Sequence, residues 1–187
     1  MKKTLLLLTF FIAIFANAQE KEETYTQDIN KKHEIKINTF SLIALSSFDV
    51  TYEYLLTQNT SFGIATFYNF DSLSDDINFP KKFSLTPFYR WFFSETRYAR
   101  GFFVEGFGSL NTYQETFNFF RDNPSQIITE TGFALGVSVG GKFVIKSGFT
   151  AEIYLGVGRN LINDESEDFY IENSVITRGG ISLGYRF

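Results

Sequence analysis

Eight ionisable residues carry whatever chemistry this chain could do: Asp49, Glu53, Arg90, Glu105, Lys142, Glu152, Arg178 and Arg186. Most fall between apolar neighbours, as Glu53 does between Tyr52 and Tyr54 and Arg90 between Tyr89 and Trp91. Two carboxylates can act as general acid and general base, and Glu105 with Glu152 is the pair to consider. The bases are about as numerous as the acids, however. Buried opposite charges persist by pairing and hydrogen bonding, so a structural charge network is the expected reading. The single histidine, His33, precedes the first good strand, which disfavours a Ser-His-acid relay. The chain lacks cysteine, which excludes disulfides, Cys-based metal centres and a lipid-anchored amino terminus. Gly140-Gly141 and Gly179-Gly180 are not phosphate loops, since no helical pattern follows either. No catalytic residue, cofactor or resident metal is therefore expected.

The elements that must position these charges are strands. A strand has period 2, so one face is greasy and the other polar or small. The last ten residues show this best. Ile181, Leu183, Tyr185 and Phe187 share one face; Arg178, Gly180, Ser182, Gly184 and Arg186 share the other. Similar alternation predicts strands over 34–44, 48–56, 61–70, 82–93, two long strands between 100 and 146, and one over 149–161. The phase blurs between Phe40 and Leu42, where a bulge is expected. Pro87 interrupts the fourth strand, and a second bulge is expected there, because proline cannot donate to a ladder. In the fifth strand an inward Glu105 brings Phe103 and Phe107 inward with it. The two central strands exceed what a bilayer needs and predict a projecting hairpin.

The connections also alternate from the second hairpin on; the first external one, Leu45 to Ser47, is the exception and is expected to be short. Those at Gln58, Ser94 and Ser147 are short; those at Asp71, Asn123 and Asp164 are long. That asymmetry is expected of an outer-membrane barrel with short periplasmic turns and longer external loops. A soluble eight-stranded carrier of hydrophobic ligands does not predict it, and would need apolar residues inside. The fold class is therefore all-β, an eight-stranded antiparallel up-and-down transmembrane β-barrel over residues 34–187. Such a barrel is just wide enough for side chains to fill it. Inward glycines at 136, 140, 156, 158, 180 and 184 are expected to make room for long Arg and Lys arms. Arg100 and Arg159 break the pattern at strand ends, where they are expected to reach headgroups.

Targeting is legible at the start. Lys2 and Lys3, the apolar run from Leu5 to Phe15 and Ala16-Asn17-Ala18 form a secretory signal, with cleavage expected before Gln19. Residues 1–18 are the signal and 19–33 a flexible periplasmic leader. Loss of the signal takes the formal charge from −4 to −6, so nucleic acid is not an expected partner. Aromatics make up 19% of the chain, which suits a barrel ringed by aromatic girdles. The acidic loops around Asp71, Asp75 and Asp76, and around Asp164, Glu165, Glu167 and Asp168, read as solvated surface, with divalent bridging to lipopolysaccharide the alternative. The tip from Tyr113 to Phe120 reads as strand packing, with an exposed contact surface the alternative.

Three stretches resemble a known family: Ser84 to Arg90 (SLTPFYR), Ala99 to Gly108 (ARGFFVEGFG), and Gly156 to Leu161 (GVGRNL) with Arg178 to Phe187 (RGGISLGYRF). The chain is similar to small bacterial outer-membrane β-barrels of unknown function, of the OmpX and OmpA barrel type. The resemblance implies fold and location and adds no active site. It implies a carboxy-terminal signal at Gly180, Leu183, Tyr185 and Phe187, read by the barrel-insertion machinery. Expected partners are outer-membrane lipid, lipopolysaccharide and that machinery. The expected role is non-enzymatic, structural or surface-interacting, with a filled lumen. A narrow solute channel, an outer-leaflet lipid-modifying enzyme and a soluble ligand carrier are the alternatives.

Overall fold

A computed structural model describes residues 30–70, 81–94, 98–117, 126–163 and 175–187, without the side chains of 115–117, 126–128 and 162–163. The predicted signal, most of the leader, both acidic loops and the end of the aromatic tip lie outside these residues.

Eight strands follow one another around a closed antiparallel barrel. They are β1 (His33–Asn38), β2 (Ser47–Leu55), β3 (Thr60–Asn69), β4 (Lys81–Phe92), β5 (Gly101–Phe117), β6 (Gln126–Val144), β7 (Phe149–Asn163) and β8 (Val175–Arg186). Each strand pairs with its sequence neighbour, and β1 pairs β8 to close the cylinder. The seam is fastened at its end by His33 N donating to Phe187 O (3.1 Å) and Phe187 N donating to His33 O (2.8 Å). The His33 ring stacks on Phe187, and Nδ1 lies 2.7 Å from the Tyr52 hydroxyl. We call this the terminal end, since it carries the carboxy terminus and the three short connections. The other is the loop end.

The alternation read from the sequence is realised on both faces. Ile64, Val137, Val139, Leu155 and Leu183 are exposed outward between the two ends. Aromatics ring the terminal end outside, with Trp91 stacked on Phe93 and Phe149 edge-on to Tyr185. Near the loop end Phe48 meets Phe70 and Tyr68 lies across from Phe83. The inward phase is buried, including Phe103 and Phe107 beside Glu105. Strands β5 and β6 pair all the way to Phe117↔Gln126, past the last β4 and β7 partners at Tyr113 and Gly132. Residues 114–117 thus run beyond the wall by about 13 Å, at roughly 3.3 Å per residue.

Four local expectations are corrected. The blurred segment is a short helix, α1 (Thr39–Ala44), not a bulge. Asn38 caps it by accepting from Ser41 N. The first connection is therefore not short. Pro87 causes no bulge: it lies opposite Ile64, and the β4–β5 register is the same at Leu85↔Leu110 and Phe88↔Phe107. The ladder passes over the proline without shifting, and the irregularity sits between Lys81 and Phe83 instead. Arg100 is buried rather than reaching outward. Gly101 has φ +91°, which resets the alternation at the start of β5. Arg159 is exposed near the loop end of β7, as its phase predicts.

The inward glycines also differ from expectation. A Cβ at Gly140 would lie 2.5 Å from Phe103 Cζ, and one at Gly136 would strike Phe107. These glycines accommodate rings from the neighbouring strand. Gly180 makes way for Asn38, and Gly184 alone of the six lies against a basic side chain, Lys36.

Candidate functional site

The lumen is the place where polar chemistry gathers. Its floor at the terminal end is apolar, built from Leu55, Phe92, Ala99 and Phe103. Above it four strands deliver carboxylates: Glu34 from β1, Glu53 from β2, Glu105 from β5 and Glu152 from β7. Bases come from β1 (Lys36), β4 (Arg90), β6 (Lys142) and β8 (Arg178 and Arg186). Period 2 places all nine on the inward phase.

They interlock across the barrel. Glu53 is paired by Lys36, by Arg90 Nη1 at 2.9 Å and by Lys142 at 2.6 Å, and accepts from Ser61 Oγ. Glu152 is paired by Lys36 at 2.8 Å and Arg90 at 2.7 Å. Glu105 receives Arg90 Nε at 2.6 Å, Arg178 Nη1 and Ser138 Oγ. Glu34 receives Lys142 at 2.9 Å and Arg186 at 2.7 Å. Arg186 also donates to the carbonyls of Tyr98 and Ala99, tying β8 to the turn before β5. The Arg90 guanidinium lies between the Phe88 and Phe103 rings, 4.5 and 4.3 Å from their centroids. In a low-dielectric interior these contacts strengthen, and each carboxylate has at least two cationic partners to offset its desolvation.

Of the eight residues singled out by sequence, seven meet in this network: Glu53, Arg90, Glu105, Lys142, Glu152, Arg178 and Arg186. Asp49 does not. It lies nearer the loop end, where Asn38 Nδ2 donates to it at 2.9 Å. Two members were missed, Glu34 and Lys36, both fully buried. Their signal was present, since Ile35 and Ile37 fix the outward phase of β1. Glu105 and Glu152 do come to one centre, yet both are engaged by Arg90. His33 lies at the terminal rim, bonded to Tyr52. Among the described residues no cluster of three or more His, Asp or Glu side chains could hold a metal.

The last named residues sit on β8 and, for Phe187, just past it. Leu183, Tyr185 and Phe187 face outward and are exposed, while Gly180 faces the lumen against Asn38.

Toward the loop end the lumen changes character. Thr86, Ser109 and Asn111 bond one another, and a cavity of about 570 Å³ opens beside Asp49, Lys81, Tyr154 and Arg178.

A closed eight-stranded antiparallel barrel with its charges turned inward and its apolar residues outward defines the class. Comparison with known proteins agrees on the fold. The chain belongs to the family described as Protein of unknown function (DUF3575), which matches residues 5–178. No curated protein matches it. Among solved structures it is similar to the N-terminal β-barrel domain of Pseudomonas aeruginosa OprF, at 12% identity and TM-score 0.52, covering 84% of this chain and all of that one. At that identity the likeness concerns the fold alone.

Proposed function

We propose that this protein is a non-enzymatic outer-membrane barrel whose lumen is closed by its own side chains and whose role is structural or surface-interacting. One observation carries the reading: the ionic groups of the terminal half are engaged by one another, while the outside is apolar between two zones of aromatics. A Lys or Arg on the lipid face at mid-bilayer costs about 2–4 kcal/mol, so this distribution favours hydrocarbon outside. Among the described residues no helix is long and apolar enough to cross a membrane, so strands would do the crossing.

In this reading residues 1–18 direct export, 19–33 form a periplasmic leader and 34–187 the barrel. The insertion machinery reads Gly180, Leu183, Tyr185 and Phe187, and the mature barrel meets outer-membrane lipid and lipopolysaccharide. A channel would need a continuous wet path, and the interlocked acids and bases above Leu55 and Phe92 oppose one. An acid–base enzyme would need a carboxyl free to exchange protons, and Glu105 and Glu152 are held by Arg90.

Membrane fractionation and planar-bilayer recording test this together. The expected result is a detergent-requiring protein whose gel mobility shifts on heating and which gives no discrete conductance steps. Regular steps from the folded protein would refute the closed lumen, and solubility without detergent would refute the membrane assignment.

A further inference from the structure

The barrel wall is incomplete near the loop end. Strand β1 stops at Asn38, opposite Ser182, whereas β8 continues to Val175 and β2 continues to Ser47. Above Asn38, among the described residues, neither neighbour has a strand to pair with on that side. Helix α1 occupies this notch, where Thr39 Oγ1 donates to Ile181 O at 2.8 Å and Asn38 Nδ2 to Gly179 O at 3.3 Å. The cavity of about 570 Å³ lies behind it. Its lining mixes two surfaces: lumen residues such as Arg178 and Lys81, and lipid-face residues Ile153, Leu155 and Ile181. Between them the wall is low, because Gly179 and Gly180 carry no side chains.

The polar side of this cavity has unused cationic capacity. Arg178 Nη1 donates to Glu105, but its buried Nη2 has no hydrogen-bond partner among the described residues. No carboxylate bonds Lys81 among the described residues; its ammonium lies 5.3 Å from the Phe67 ring centroid. The cavity's own acid, Asp49, has Asn38 as donor. Across the barrel interior, among the described residues, Lys36, Lys81, Arg90, Arg100, Lys142, Arg178 and Arg186 exceed Glu34, Asp49, Glu53, Glu105, Glu130 and Glu152 by one charge. A single negative group would balance them.

We propose that the notch is a lateral binding site for a single-chain monoanionic amphiphile, a long-chain carboxylate. Its acid group sits between Arg178 and Lys81, and its hydrocarbon chain passes over Gly179 and Gly180 onto Ile153, Leu155 and Ile181. A volume of this size is in the range of small-molecule sites, and the remaining chain lies along the outer apolar surface. The site rests on the membrane-barrel reading, which the heating shift and detergent requirement test separately.

The experiment uses the full mature chain refolded in nonionic detergent, checked by its heating shift, and palmitate with a photoreactive group at the chain end. Labelling should concentrate on peptides containing Ile153, Leu155 and Ile181, and excess palmitate should compete far better than hexadecanol. The double variant Lys81→Gln, Arg178→Gln should lose about tenfold in labelling, the equivalent of about 1.4 kcal/mol in binding. If that variant does not fold, Lys81→Gln, which breaks no hydrogen bond among the described residues, should still lose about threefold, since one charge-assisted contact goes. Labelling spread evenly round the barrel, equal competition by the alcohol, or undiminished labelling of a folded variant would each overturn the proposal.

Discussion

The two halves of the lumen are built from the same strands and solve burial differently. In the terminal half every glutamate meets at least two cations, and the floor is sealed by Leu55, Phe92 and Phe103. In the loop half hydroxyls and amides bond locally, Asp49 has an amide partner, and space remains. The difference teaches where this barrel can tolerate change. Dense ion pairing is stable only when complete, because a lone buried charge is far costlier than a lone hydroxyl. The terminal half is thus a unit in which loss of a shared carboxylate leaves several cations without a partner. The loop half is a set of separate contacts around a cavity.

The largest test of that contrast is Glu53→Ala. It leaves Lys36, Arg90 and Lys142 crowded together without their shared carboxylate. Breaking a buried pair costs about 3–5 kcal/mol. The urea midpoint of the detergent-refolded protein should fall accordingly, or the heat-modifiable form should vanish. An unchanged midpoint would mean the network contributes nothing to holding the barrel shut.

Next comes packing against the same floor. In Gly140→Ala the new Cβ would lie 2.5 Å from Phe103 Cζ and 2.6 Å from Ile153 O, and the backbone oxygen cannot yield. Overpacking of this kind costs about 1–3 kcal/mol. Gly106→Ala, which meets nothing within 4 Å, is the control and should shift the midpoint by less than about 0.5 kcal/mol. Equal effects from the two would show that the wall opens easily at Gly140.

Much of this arrangement was readable in the sequence because period 2 is a strong signal when one face is apolar. Glu53 and Arg90 were placed inward by their neighbours, and Glu105 by its own charge. Other features depended on events that break the period. Six residues are too few for α1 to show a helical repeat, so Thr39 to Ala44 looked like a damaged strand; the Asn38 cap was its visible mark. Gly101 reversed the phase of Arg100 through its backbone angle. The glycines facing Phe103 and Phe107 answer to cross-strand neighbours, whose register no single strand reveals. Pro87 stayed in register although a ladder with two partners seemed to forbid it.

Arg178 sits at the boundary between the halves and should behave in between. It shares Glu105 with Arg90, so its loss leaves that carboxylate one cation and Ser138. Arg178→Gln should cost about 1–2 kcal/mol by urea titration, less than Glu53→Ala, since the acid left behind is still bonded. A cost equal to that of Glu53→Ala would extend the interlocked unit up to the cavity.

The smallest effect on stability is expected at Asp49→Asn. Asp49 accepts from Asn38 Nδ2, and an amide oxygen can accept the same bond. The urea midpoint should move by less than about 1 kcal/mol, the net worth of one neutral hydrogen bond. Ligand capture should move in the other direction. Removing the carboxylate that lines the cavity leaves Lys81 and Arg178 with less negative charge nearby, so the photoreactive palmitate should label this variant more strongly than the native chain. A large loss of stability would mean that Asp49 holds the loop half together by its charge, and the contrast between the halves would disappear.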